Sequence, residues 1–190
     1  MILLLAILFG VIAGLAYARV RGRRYEPASL NHIWLVAISM LPQGLVFYYP
    51  PTRNLTPEWL AAFCLVGSQI GLIAFVWLNR PRPGMWILGA GLVMNLLVIS
   101  LNGGFMPISP ETAAKLDLDC SGKPCEPGNR LGWSKDIVLT KNNTRLWWLS
   151  DCLLLPVWSP LQVAFSAGDI FIAMGAFWLL LLGEAHKRGY

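Results

Sequence analysis

Five long apolar runs divide this chain, at 2–18, 33–49, 59–78, 84–101 and 163–183, and they decide the solvent in which it can fold. About 20 apolar residues in helical form match the roughly 30 Å hydrocarbon core of a bilayer. Inside that core no water reaches the backbone, so a crossing segment must satisfy its own N–H and C=O groups, as a helix does. The expected fold is an all-α integral membrane protein, a single domain with about five transmembrane helices. Charged residues make up 13% of the 190 residues, about half the share usual in a soluble domain.

The placement of charge orients the runs. Arg19, Arg21, Arg23 and Arg24 follow the first run, Arg80 and Arg82 separate the third from the fourth, and Lys187 and Arg188 follow the last. Basic residues beside spanning helices stay in the cytoplasm, so the N-terminus is expected outside and the C-terminus inside. The outer loop, 102–162, carries Lys115, Lys123, Arg130, Lys135, Lys141 and Arg145. Long translocated loops are largely exempt from the charge rule. The formal net charge of +5 therefore reads as a topology signal, and the expected partner is the lipid bilayer, with no nucleic acid. Ala16-Tyr17-Ala18 imitates a signal-peptidase site, but the positive charge follows the apolar run instead of preceding it. The first run is thus expected to remain as an uncleaved helix.

Local signals refine this picture. Gly10 with Gly14, and Gly67 with Gly71, form small-xxx-small faces for close helix contact. Pro42-Gln43-Gly44 predicts a kink in the second run. Thr56 followed by Pro57 predicts an N-cap and a first helical residue for the third. Asn95, inside the fourth run, is expected to face protein and bond between helices. Asn102-Gly103-Gly104 allows a sharp exit from that run. The half-apolar piece 146–158 is too short to cross and is expected at the outer interface or as a re-entrant segment.

Asp169 is the only ionisable residue in the run 163–183. A carboxylate at the centre of a spanning helix costs roughly 2.5–3.5 kcal/mol, so one kept there is paired, protonated or used. Counted from residue 163, it is expected about 9 Å below the outer end of that helix. Asp151 lies upstream, and Pro156 and Pro160 between the two acids let the chain fold back. Two close carboxylates share a proton, and such a pair can activate water against an amide. The competing reading is structural: Asp169 bonded to Ser166, Asn102 or Arg145, and Asp151 capping or salt-bridging at the interface.

Histidine and cysteine exclude other chemistries. His32 and His186 both fall on the expected cytoplasmic side, which argues against a Ser-His-Asp triad or a histidine zinc site outside. Cys120 and Cys125 bracket a turn on the oxidising side, where a local disulfide is favoured. Their spacing fits no standard zinc pattern, even with Asp117 or Asp119, and no metal or cofactor is expected. Cys64 and Cys152 are read as packing residues.

The blocks Asn102-Gly103-Gly104-Phe105-Met106-Pro107, 143–151 and Phe165-Ser166-Ala167-Gly168-Asp169 resemble an uncharacterised family of small bacterial multi-pass membrane proteins, known as a domain of unknown function. That resemblance implies a bacterial inner-membrane protein and no particular activity. More remotely, residues 142–183 are similar to the end of lipoprotein signal peptidases. That similarity would give Asp151 and Asp169 the catalytic places and Arg145 a substrate-orienting one, with Asn102 and Ser166 as further contacts. Ser166 stands where those peptidases have Asn, Gly168 where they have Ala, and the chain has one more span. Two functions are therefore carried forward. The first is a non-catalytic structural subunit or outer-interface binding protein, with other membrane subunits or a lipid-linked molecule as partners. The alternative is an aspartyl peptidase-like hydrolase using Asp151 and Asp169. A transporter ranks below both, since no repeat or pair of broken helices is present.

Overall fold

Long apolar segments lacking internal polar partners close their backbone bonds locally, and the apolar runs of this chain accordingly form helices. The structure, a computed structural model, describes residues 2–53, 55–116, 126–132, 134–156 and 162–183. Among them the chain is mostly helical. Its helices are α1 (Ile2–Val20), α2 (Trp34–Gln43), the short α3 (Pro50–Arg53), α4 (Glu58–Leu78), α5 (Met85–Leu101), the short α6 (Pro110–Lys115) and α7 (Ala167–Leu182). Helix α2 runs on into a π-helical turn, Gly44–Tyr48, directly after Pro42, where the kink was expected. Helices α1 and α4 are long and apolar enough to cross a membrane, while α2 with its π turn, α5 and α7 are apolar but shorter.

The helices pack side by side in the order α1, α7, α5, α4, α2, so the last helix is inserted between the first and α5. Large apolar side chains such as Leu4, Phe9, Ile38, Phe63, Trp86 and Met174 face outward across the assembly. Soluble monomers rarely expose contiguous apolar patches of this kind, whereas hydrocarbon tails accept them at no cost.

Glycines set the closeness of the central seam. Helices α5 and α7 run antiparallel, with Gly91 against Gly168 and Gly84 against Gly175. A Cβ on Gly91 would come within 2.7 Å of the Ile172 nitrogen, and one on Gly175 within 2.6 Å of the Leu88 Cβ. Gly84 also caps α5 at φ +81°, a left-handed backbone that an L side chain resists. On the other side of α7, a Cβ on Gly10 would lie 3.2 Å from the Phe177 Cα, and one on Gly14 would lie 2.6 Å from the Leu180 carbonyl oxygen. The expected Gly10/Gly14 face is therefore a real contact surface. The second expected pair divides: Gly71 packs on Ser39, but nothing lies within 4 Å of a Cβ on Gly67, which makes no close contact.

Two buried asparagines fasten opposite ends of the bundle. Asn79, the C-cap residue of α4, bonds both backbone groups of Asn31, accepting from its N–H at 2.8 Å and donating to its carbonyl at 2.9 Å. Asn102, the C-cap residue of α5, does the same to Arg145, at 2.9 Å in both directions. Each asparagine thus acts as one rung of a backbone ladder, holding a distant loop to a helix end.

The described part of 102–162 corrects the all-helical expectation, because it forms two small sheets. Strand β1 (Met106–Ile108) pairs in parallel with β2 (Asp136–Val138), with Met106 opposite Asp136. Strand β3 (Leu153–Leu154) pairs antiparallel with β4 (Ala164–Phe165). The piece expected as an interfacial or re-entrant segment is therefore a single 3-10 turn, Trp147–Leu149, followed by a hairpin arm. Pro156 and Pro160 disfavour a continuous helix through that stretch of sequence. Residues 157–161 lie outside the described residues. The Arg130 guanidinium lies over Phe47 and Phe105, at 5.2 and 4.9 Å from the ring centres, and joins this domain to the bundle.

Two boundaries also move. Helix α7 starts at Ala167, not 163, because residues Ala164–Phe165 are committed to the hairpin. The N-cap of α4 is Pro57, and the Thr56 hydroxyl instead donates to the Thr52 carbonyl at 2.8 Å.

Gly91→Ala is expected to lower the thermal midpoint in detergent, by an overpacking cost of about 1–3 kcal/mol. Gly67→Ala should leave it unchanged or raise it, since a helical alanine in open space only gains propensity. Equal effects at the two positions would refute the seam.

Candidate functional site

The last helix begins with a polar junction. Ser166 is the N-cap residue of α7, and its hydroxyl accepts from the Asp169 N–H at 3.1 Å. Asp169, three residues on, returns a carboxylate oxygen to the Ser166 N–H at 3.1 Å. This reciprocal capping box satisfies two helix-end donors that the surroundings would otherwise leave bare. Asp169 therefore sits in the first turn of its helix, not deep within a span, which corrects the expected depth of about 9 Å.

Asn95 completes the junction from α5. Its side-chain nitrogen donates to the Asp169 Oδ1 at 2.9 Å, and its Oδ1 accepts from the Ser166 hydroxyl at 3.0 Å. The amide is oriented so that its nitrogen meets the carboxylate and its oxygen meets the hydroxyl. Gly168 makes room for it: a Cβ there would lie 2.8 Å from the Asn95 Cγ. Asn95 and Ser166 are buried, and both carboxylate oxygens of Asp169 are engaged. The partners expected for Asp169 were Ser166, Asn102 or Arg145. Ser166 is one of them, and Asn95 takes the place of the other two.

Asp151 reaches this junction through the strands. Its N–H donates to the Pro107 carbonyl of β1 at 3.0 Å, and β1 also receives Lys135, whose carbonyl accepts from the Met106 N–H at 3.0 Å. Strand β1 thereby holds both residues side by side. The Lys135 ammonium donates to the Asp151 Oδ2 at 2.8 Å and lies 3.3 Å from the Asp136 Oδ1. Asp151 is only 3% exposed, and its Oδ1 has no hydrogen-bond partner among the described residues. The hairpin β3–β4 then leads from Cys152 across to Phe165 and Ser166, which places Asp169 within electrostatic reach of both Lys135 and Asp151.

One ammonium thus serves three carboxylates. Burial pushes the Asp151 carboxyl up to about 7; Lys135 opposes this, while Asp136 and Asp169 add to it. Burial pulls the Lys135 ammonium down, but attraction from Asp136, Asp151 and Asp169 overcomes it and holds the group above its ordinary value. The cluster consequently keeps its cation at neutrality, and Asp151 is the acid in it that burial favours in the protonated form. Burial also pushes the Cys152 thiol up, which keeps it protonated and a poor nucleophile.

The other sequence-derived residues are more dispersed. Arg145 is exposed, and its backbone, not its guanidinium, meets Asn102. Asn102 belongs to that clamp and not to the Asp169 junction. Cys120 and Cys125 lie outside the described residues, as does His186. Cys64 and Cys152 are free thiols. Among the described residues no group of three or more His, Cys, Asp or Glu side chains could hold a metal ion. Lys135 and Asp136 escaped sequence reasoning, because in a loop with six basic residues nothing singles out one. Asn95 was traceable: a polar side chain in one apolar run needs an answering one in another, and Ser166 and Asp169 supply it.

Ser166→Ala removes an N-cap and an acceptor for one amide, and should cost about 0.5–2 kcal/mol in thermal or denaturant unfolding. Asp151 has its value raised by folding, so it contributes stability that is complete below 3.8 and is lost as pH rises through about 7. The thermal midpoint should fall across that window in the parent protein, and Asp151→Asn should flatten the fall. An identical pH profile in the variant would show that Asp151 does not titrate there.

Residues 27–181 match a family of unknown function, DUF5317, and the chain belongs to that family. An uncharacterised protein of Thermotoga maritima is 27% identical over 139 residues, which cover 72% of this chain and 73% of that protein. No solved structure matches the chain.

Proposed function

We propose that this DUF5317 member is a non-catalytic protein of the bacterial inner membrane that crosses it five times and works as a subunit or binding protein at the outer interface. The observation that carries this reading is the commitment of both Asp169 oxygens to its own helix cap and to Asn95. A carboxylate held in that way builds a helix junction, and its orientation is fixed by the cap on one oxygen and by Asn95 on the other. The five-span reading draws on the apolar outward faces of α1, α2, α4, α5 and α7, and on basic segments that meet at one end. Arg21 and Arg23 beyond α1, Pro83 in the turn before α5, and Gly183 after α7 line one pocket there. With that end in the cytoplasm, the β-strand domain lies outside, and exposed Trp147 and Trp148 stand at its surface as interface anchors. A group able to donate a hydrogen bond would find an acceptor in the unpartnered Asp151 Oδ1.

One observation favours the second reading, an aspartyl peptidase-like hydrolase. Burial holds the Asp151 carboxyl up to about 7, and the neighbouring Asp169 adds to that rise, so Asp151 can carry a proton near neutrality. Lipid-linked peptides are the substrate class that a site at this depth would meet.

The two readings separate on Asp169→Asn and Asp151→Asn in proteoliposomes. The structural reading expects Asp169→Asn to lower the thermal midpoint, and lipid-linked peptides to survive equally with parent and variants. Cleavage by the parent that disappears in stably folded variants would overturn it in favour of the hydrolase. A fluorescent protein fused to the C-terminus should fluoresce in cells, and protease added outside should cut near Gly128. The opposite pattern would reverse the orientation.

A further inference from the structure

At the end of the bundle away from the strands, the chain leaves α1, doubles back and presses against the end of α7. Tyr25 fixes that return: its hydroxyl donates to the Leu180 carbonyl at 2.8 Å, and its ring packs on Gly14. Gly183 lies so close to the Glu26 carbonyl that a side chain there would collide with it. The return leaves a cavity of about 520 Å³, a size common for small-molecule sites. Arg21, Arg23 and Arg24 line it, with Tyr17 and Tyr25 beside them. Ala18, Leu181 and Leu182 add apolar lining.

Charge and position together identify the occupant. Three arginines and one acid, Glu26, are the charged residues among the described lining, so that lining carries an excess of positive charge. Among the described residues Arg21, Arg23 and Arg24 form no ion pair; Arg21 lies over the Tyr17 ring at 5.1 Å. Guanidinium forks match phosphate oxygens in pairs, and Arg is chosen over Lys where that geometry matters. The helices that carry it also expose apolar side chains, Leu15 and Val20 of α1 and Leu182 of α7, the last of which lines the cavity. A ligand that suits both surfaces has a phosphate head and hydrocarbon tails. Basic pockets between helices at the cytoplasmic side of a membrane hold anionic headgroups in this manner.

We infer that this cavity binds the headgroup phosphate of an anionic phospholipid from the leaflet at that face, with the acyl chains lying along α1 and α7. The inference rests on the membrane reading above, and the experiment is arranged so that each can fail alone. Full-length purified protein is first floated with phosphatidylcholine vesicles; failure to float would sink the membrane reading. Floated protein is then compared by native mass spectrometry and thermal midpoint with short-chain phosphatidylglycerol, phosphatidylcholine and inorganic phosphate.

Phosphatidylglycerol should be retained roughly tenfold better than phosphatidylcholine, and should raise the midpoint where phosphate does not. The triple change Arg21→Gln, Arg23→Gln, Arg24→Gln should abolish the preference. Should that protein fail to insert, the triple change to Lys keeps the charge but not the fork, and should reduce the preference severalfold. Arg80→Gln, on the same face but outside the cavity, should leave it intact. Equal retention of the two lipids, a preference that survives both triple changes, or an equal loss with Arg80→Gln would overturn the proposal. An equal shift with phosphate alone would also overturn it, by making the cavity a site for a soluble phosphate.

Discussion

The seam between α5 and α7 depends on one amide. Asn95 reaches from the middle of an apolar helix, donates to Asp169 and accepts from Ser166, and so satisfies the polar start of the last helix. In a low-dielectric setting the alternative to such a bond is a bare polar group, which is the costly outcome. The glycines follow from this requirement. Gly168 and Gly91 bring the backbones close enough for the amide to reach, and Gly84 with Gly175 keep that spacing toward the other end. With α7 seated on α5, its opposite face receives Gly10 and Gly14 of α1, and the order of helices is complete.

The two acids on which a catalytic proposal would depend have separate physical roles. Asp169 has both oxygens engaged, and its carboxylate belongs to the helix start. Asp151 is buried, bonded through one oxygen to a lysine that two other acids also attract, and under-compensated at the second. Strand β1 causes the difference by bringing Lys135 and Asp151 together at a distance from the cap. A local ladder of three residue pairs thereby places the charges of this cluster.

Much of the bundle was legible because hydrophobic length and glycine spacing act locally. The helices at 2–18, 59–78 and 84–101 fall almost where the apolar runs do, and the π-helical turn after Pro42 and the Gly10/Gly14 contact are where residue type marks an irregularity and a close approach. Gly67 was misleading because its spacing to Gly71 says which face they share, but not whether another helix covers that face. The glycines at 84, 91, 168 and 175 went unread because they are seven residues apart within each helix. They carry meaning only once the two helices are set against each other.

By itself, the order of residues determined that the chain is built of apolar helices with basic turns at one end, because the cost of exposing backbone to hydrocarbon and the placement of charge are properties of single segments. It also marked Asp169 as needing an answer. Which groups answer it, Asn95 and Ser166 and not Asn102 or Arg145, was decided only when the helices packed. The Lys135–Asp151 pair and the strands that carry it were decided in the same way. Hydrogen bonds and ion pairs act over a few ångströms between residues tens of positions apart, and only the folded chain specifies which of them meet.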